Sequence, residues 1–228
     1  MKLSLRMETV KNTVIPCNTA CDIGCDHGFV SIALVQEGIA KRVIACDINK
    51  GPLQAASDNI AAAGLSDAIE TRLSDGLHKV TTGDAPDTVI IAGMGGALTV
   101  KILSEASDVL KSVTQLVLQP QSELFLVRKW LRCNGYNILK ERFLCDAGKY
   151  YFVMDVRPGD SAPHTEEEYA FYDEFSEFLL QDKDPLYREY LKKGIENNET
   201  YLKGMPEEKR GELIHKTDLL KKALLMTE

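Results

Sequence analysis

No stretch of this 228-residue sequence stays apolar for the roughly 18 residues that a membrane-spanning helix needs. Lys2 and Arg6 are followed by no apolar run of the kind a secretory leader carries, so a soluble cytoplasmic protein is expected. An excess of positive charge is also missing. The 27 lysines and arginines stand against 34 acids, a net charge of −7, which argues against bulk attraction to nucleic acid. The imbalance is uneven: from Glu166 onward 10 basic residues face 16 acids, whereas residues 1–165 are nearly neutral at 17 against 18. Only the first part is free to carry a basic face. Six cysteines could suggest a disulfide framework or a metal site. Cys17, Cys21 and Cys25 fall four apart, but on a strand that spacing is roughly 13 Å, too far for one ion to bridge. Buried free thiols and no metal are expected. There is no internal repeat and no low-complexity segment.

What is present is a rhythm of short apolar runs, each ending in a turn residue and followed by a helical pattern. Residues 3–14 suggest an amphipathic helix with Arg6 and Lys11 on its polar side. Strands are expected at Thr19–Asp22, Arg42–Cys46, Ile69–Leu73, Thr88–Ala92 and Leu116–Leu118. Between them helices follow at Val30–Glu37, from Pro52 to the Gly64 cap, at Leu98–Leu110, and from Leu124 to Gly135. Asn137–Phe143 and Tyr150–Val156 are close enough to form an antiparallel hairpin. This order predicts an α/β fold, a doubly wound seven-stranded Rossmann-like sheet of the methyltransferase type, with ligands outside the strand carboxyl ends. A linker at Asp160–Thr165 separates a domain over 1–160 from a helical tail over 166–228. The stripes in that tail suggest two antiparallel helices forming a coiled-coil hairpin.

The stretch around which the chain is organised is Cys21-Asp22-Ile23-Gly24-Cys25-Asp26-His27-Gly28-Phe29. A strand ending in an acid runs through a glycine-containing turn straight into a helix, where free backbone N–H groups converge. Asp22, Asp47 and Asp75 stand at three successive strand ends. Each alone is as readily an N-cap, but three together favour a ligand lying across the sheet. Asp22 would meet an ammonium group, Asp47 both hydroxyls of a ribose, and Asp75 beside Gly76 an exocyclic adenine amine. S-adenosyl-L-methionine has all three handles. A nicotinamide dinucleotide fits less well: Gly24-x-x-x-Gly28 is not the G-x-G-x-x-G spacing, and Asp26 would repel a pyrophosphate.

The run Asp22-Ile23-Gly24-Cys25-Asp26-His27 resembles the D-I-G-x-D-H motif of the bacterial tRNA (adenine-22-N1)-methyltransferase family, a class I S-adenosylmethionine-dependent group. So do Lys50-Gly51-Pro52, Asp75-Gly76-Leu77, Ala92-Gly93-Met94-Gly95-Gly96 and Leu118-Gln119-Pro120, in the same order, and the early Leu3-Ser4-x-Arg6. The chain departs from the family at Gly28-Phe29 and Val30-Ser31, where a small residue with Tyr and then Leu-Pro are usual. Phe29 keeps the ring but lacks the hydroxyl. The resemblance implies methyl transfer to N1 of an adenine in tRNA by a monomer. It places Asp22, Gly24, His27, Gly28, Asp47, Ile48, Asp75, Gly76, Gly93 and Met94 at the cofactor, with core packing the alternative for Met94. Asp26 and Gln119 become candidates for catalysis at the base. Arg6, Phe29, Arg128 and Lys129 become tRNA contacts, with Lys11 and Arg42 among further candidates for a phosphate-binding face. Two other readings stay open from the residues themselves: a methyltransferase of the same fold acting on a small molecule, and a non-catalytic binding relative.

Overall fold

Every strand of the central sheet except the last runs in one direction, because the chain crosses back to the starting edge after each of the first five, by way of a helix after all but the third. The computed structural model describes residues 3–228. Its strands are β1 (Cys17–Ile23), β2 (Ala40–Asp47), β3 (Ile69–Leu73), β4 (Thr88–Met94), β5 (Gln115–Pro120), β6 (Tyr136–Asp146) and β7 (Lys149–Pro158). They form one seven-stranded sheet in the order β3-β2-β1-β4-β5-β7-β6, with β7 antiparallel to both neighbours. β1, β2, β4 and β5 are buried on both faces, which is why they read as continuous Val/Ile/Ala/Cys runs rather than alternating ones.

Alternate residues of these strands feed two separate cores. Cys21, Ile44, Val89 and Leu116 pack on one face, beneath α4 (Gly96–Ser104), α5 (Ser107–Leu110) and α6 (Leu124–Cys133). Ala20, Val43, Ile90 and Val117 pack on the other, beneath α1 (Leu5–Thr13), α2 (Phe29–Gln36) and α3 (Lys50–Ala62). The expected helix Leu98–Leu110 is thus two, and the closing hairpin strands are longer than the apolar pattern indicated. All six cysteines are free, but only Cys21, Cys25 and Cys46 are buried; Cys17 and Cys145 are half-buried and Cys133 is exposed.

Helix α1 is started by Ser4, whose hydroxyl accepts from the Met7 N–H. Lys11 is not on an open polar side. It is buried, with its ammonium held between Glu8 and Glu37 at 2.7 Å each, so it is not available for an external phosphate. Arg42 is likewise engaged by Glu70 at 2.8 Å.

The chain divides into two compact units, the first ending at Ala162 and the second spanning Pro163–Glu228. The second holds four helices where sequence suggested two: α7 (Glu166–Glu174), α8 (Glu177–Gln181), α9 (Pro185–Gly204) and α10 (Gly211–Met226). Thr165 and Glu168 close a capping box at the start of α7, and Asp184 caps α9. α9 buries Tyr187, Leu191 and Ile195, while Leu220 of α10 packs over Gly194. Among the described residues no helix is long and apolar enough to cross a membrane.

Candidate functional site

The parallel strands deliver their carboxyl ends to one edge, and β1 is flanked there by β2 and β4. Asp22 pairs in register with Ala45 on one side and Ile90 on the other, so its carboxyl group is only 5% exposed. One oxygen accepts from the Ser31 hydroxyl at 2.7 Å, a bond that favours the ionised form. Burial outweighs it and, with Asp47 nearby, raises the Asp22 pKa to about 6.

Beyond Ile23 the chain turns sharply. The N–H groups of Gly24 and Cys25 both donate to the Cys46 carbonyl, at 2.8 and 3.0 Å, which draws the turn onto the end of β2. Gly24 sits at φ +75°, and a Cβ there would collide with the Met94 methyl group. Asp26 also takes a left-handed backbone, at φ +51°, and its N–H donates to Asp47 at 3.3 Å. The other Asp47 oxygen accepts from the Asn49 N–H at 2.8 Å. Asp47 therefore ties the two turns together and still has lone pairs to offer.

A cavity of about 270 Å³ opens above this turn, its lining including Arg6, Asp22, Gly24, Asp26, Phe29 and Gly93. His27 also lines it, stacked on the Phe29 ring at 5.5 Å and 3.6 Å from the Asp26 carboxylate. Asp47, Ile48, Asp75 and Gly76 lie outside that lining, at the ends of β2 and β3. Ile48 is 60% exposed and Leu73 is 44% exposed, so two apolar side chains stand open beside the buried carboxylate of Asp47. Two buried acids, a turn with no room for a Cβ, and an apolar shelf suit a cationic nucleoside cofactor.

Several expected site residues sit elsewhere or act differently. Met94 packs against the core and over Gly24 rather than facing the cavity. Gln119 is fully buried, and its amide oxygen accepts from the Gly93 N–H at 3.1 Å and from Arg6 Nη1 at 3.0 Å. That leaves it turned to the protein and unable to read a base edge. Arg128 is buried with its guanidinium forked onto Glu141 at 2.8 and 3.0 Å and set against the Phe152 ring, which removes it from the tRNA contacts. Lys129 is exposed on α6 and does not line the cavity.

Sequence reasoning also missed residues. Nothing in composition marks Ser31 as the partner of Asp22. Asp146 and Tyr151 reach Arg6 from the β6–β7 hairpin. The register Leu118↔Met154 carries the hairpin turn past the end of β5, a placement that only the structure shows. Among the described residues no three His, Cys, Asp or Glu side chains are grouped to hold a metal ion.

Comparison with known proteins bears on this arrangement. A family model described as a methyltransferase domain matches residues 3–154. The tRNA (adenine(22)-N(1))-methyltransferase of Bacillus subtilis is 36% identical over 160 residues, covering 70% of this chain and 67% of that one. Among solved structures, M. capricolum TrmK in complex with S-adenosyl-homocysteine superposes with a TM-score of 0.90 at 27% identity, covering all of both chains. Streptococcus pneumoniae Sp1610, solved with S-adenosyl-L-methionine, gives 0.89 at 32% identity, covering 98% of this chain and 100% of that one.

Proposed function

The chain belongs to the tRNA (adenine-22-N1)-methyltransferase family, and from that premise we propose that it methylates N1 of adenine 22 in tRNA. S-adenosyl-L-methionine, when bound, supplies a methyl group on a sulfonium cation. The observation that carries the reading is the pair of buried carboxylates, Asp22 and Asp47, beside a turn open to a ligand.

In this reading Asp22 takes the cofactor's ammonium and Asp47 the ribose hydroxyls, while Ile48 flanks the cofactor adenine and Asp75 accepts from its amine. Gly24 and Gly28 keep the turn clear of side chains. N1 of a neutral adenine carries a free lone pair, so no residue has to remove a proton before attack. The protein's tasks are to hold the base about 3–3.5 Å from the methyl carbon and to offset the positive charge that develops on the ring. Asp26, exposed at the cavity mouth and held in a left-handed turn, supplies that negative charge. Phe29, backed by the His27 ring, offers a face on which an extruded base can stack. Extrusion from folded RNA costs a few kcal/mol, which such stacking helps to offset. Lys129 and the helices of the second unit serve to hold the tRNA, and the protein acts as a monomer in the cytoplasm.

The test is mass spectrometry of nucleosides from unmodified tRNA incubated with the protein and methyl-labelled cofactor. Labelled N1-methyladenosine should form, and it should vanish when adenine 22 is replaced by guanine. Label at another nucleoside, or on no RNA at all, would overturn the reading.

A further inference from the structure

Two glutamines stand two residues apart where β5 ends, and the structure gives them opposite duties. Gln119 is buried and spends its amide oxygen on Arg6 and on the Gly93 N–H. Gln121, just past the strand, is exposed and lines the cavity together with Asp26 and Phe29. It is the one carboxamide in that lining, and among the described residues its amide has no hydrogen-bond partner. Its Nε2 lies over Gly93, where a Cβ would stand 3.7 Å from it.

The backbone that carries this free amide is fixed from both sides. The Gln121 N–H donates to the Met94 carbonyl at 2.8 Å, and the next carbonyl, of Ser122, accepts from the Gly96 N–H at 3.0 Å. Glu123 holds a left-handed backbone at φ +51°, and its carboxylate accepts from the Ala97 N–H at 3.2 Å. A Cβ on Gly96 would stand 2.5 Å from the Glu123 carbonyl oxygen, so the turns after β4 and β5 are pressed together with no slack. A rigid backbone under an unspent donor and acceptor is the arrangement that reads a base edge.

The reaction proposed above decides which edge is left to read. N1 must face the methyl carbon, so the Watson–Crick edge is committed, and the sugar edge runs into the RNA. That leaves the Hoogsteen edge, where adenine offers an N6–H donor beside the N7 acceptor, the pair a glutamine amide matches. We propose that Gln121 selects adenine on this edge, its Oε1 accepting from N6–H and its Nε2 donating to N7. This rests on the proposed function and deepens it. Guanine shows two acceptors there, O6 and N7, and meets the amide with one of its two ends repelled; a pyrimidine has no N7. As the N1 lone pair takes the methyl group and the S–C electron pair returns to sulfur, positive charge spreads onto N6. The bond from N6–H to Oε1 then strengthens in the transition state, so the contact serves rate as well as choice.

Single-turnover methylation by the full chain tests this on two tRNAs, with adenosine or 7-deazaadenosine at position 22. The second keeps N1 and the amine but has C–H in place of N7. The parent should be about tenfold slower on it. Gln121→Ala should lose about ten- to a hundredfold on adenosine, the scale of a bidentate base contact, and treat the two tRNAs nearly alike. Gln121→Glu still accepts from N6–H but turns an oxygen toward N7, so it should reverse the parent's preference and favour 7-deazaadenosine. Affinity for S-adenosylhomocysteine and the urea midpoint should match the parent's in both variants. Variants that keep the parent's preference for adenosine would show that Gln121 does not touch N7 and would overturn the proposal. So would weakened S-adenosylhomocysteine binding by Gln121→Ala, which would move the amide to the cofactor. If the unaltered protein methylated neither tRNA, the proposed function itself would fall, and this inference with it.

Discussion

Replacing Asp22 by asparagine should stabilise the cofactor-free protein at pH 8 and do almost nothing at pH 4. The carboxyl group is 5% exposed, and burial raises its pKa to about 6, against 3.8 for an ordinary aspartate. Between those values the folded chain holds a proton that the unfolded chain has released. The stability this group contributes is therefore complete below about 3.8 and is lost as pH rises through about 6. At about 1.4 kcal/mol per pH unit, the gap amounts to roughly 3 kcal/mol at pH 8. Asparagine stands in for the protonated form: it is neutral, similar in shape, and its carbonyl can still accept from Ser31. Urea unfolding followed by the fluorescence of Trp130, the single tryptophan, reads the first unit alone. With a denaturant slope of about 2 kcal/mol/M, the midpoint of the variant should exceed that of the parent by about 1.5 M at pH 8. The difference should shrink toward zero at pH 4. A difference constant across that range, or of opposite sign, would mean that the carboxylate is not desolvated and would refute the reasoning. The same residue works in the other direction for the cofactor: below pH 6 the parent's affinity should fall about tenfold per pH unit, a dependence that Asp22→Asn abolishes along with tight binding.

Asp47→Ala should weaken S-adenosylhomocysteine by about 1.5–3 kcal/mol in calorimetry, the scale of hydrogen bonds to a charged group; unaltered affinity would put the ribose elsewhere. Gly24→Ala should destabilise the first unit by about 1 kcal/mol or more, through its φ of +75° and the Met94 methyl group. Adding Met94→Ala to it should relieve the collision but not the backbone strain, so a double variant with fully restored unfolding midpoint would contradict the backbone argument. Removing residues from Pro163 onward should leave cofactor binding intact while reducing tRNA methylation; full methylation by the shortened chain would show that the second unit takes no part in holding tRNA.

The strand ends were legible because apolar runs stop at Asp22 and Asp47, and the sheet order follows from the rhythm plus a closing hairpin. Helix and strand lengths were less so. The pattern marks only buried faces, whereas β6 and β7 also include half-buried and exposed residues. Charged residues were the least readable. Residue type says that Lys11, Arg42 and Arg128 are cations, but not that Glu37, Glu70 and Glu141, at separations of 26, 28 and 13 in the chain, will neutralise them. Gln119 misled for the same reason: an amide at a strand end can face a ligand or a neighbouring side chain, and only the arrival of Arg6 from 113 residues earlier decides which.

The sheet order also constrains how the protein can be made. β7 is the last strand synthesised, yet it lies inside the sheet between β5 and β6. While the chain emerges, β5 has an open edge and β6 has no partner, so the sheet closes only when residues up to Pro158 are available. Because Asp146 and Tyr151 belong to that late hairpin, Arg6, among the first residues to appear, waits for nearly the last of its unit before it is held. Such long-range closure favours slow, all-or-none acquisition of the pocket over stepwise assembly. A nascent chain stalled before β7 would expose the β5 edge to pairing with other strands, the hazard that unpaired edges carry.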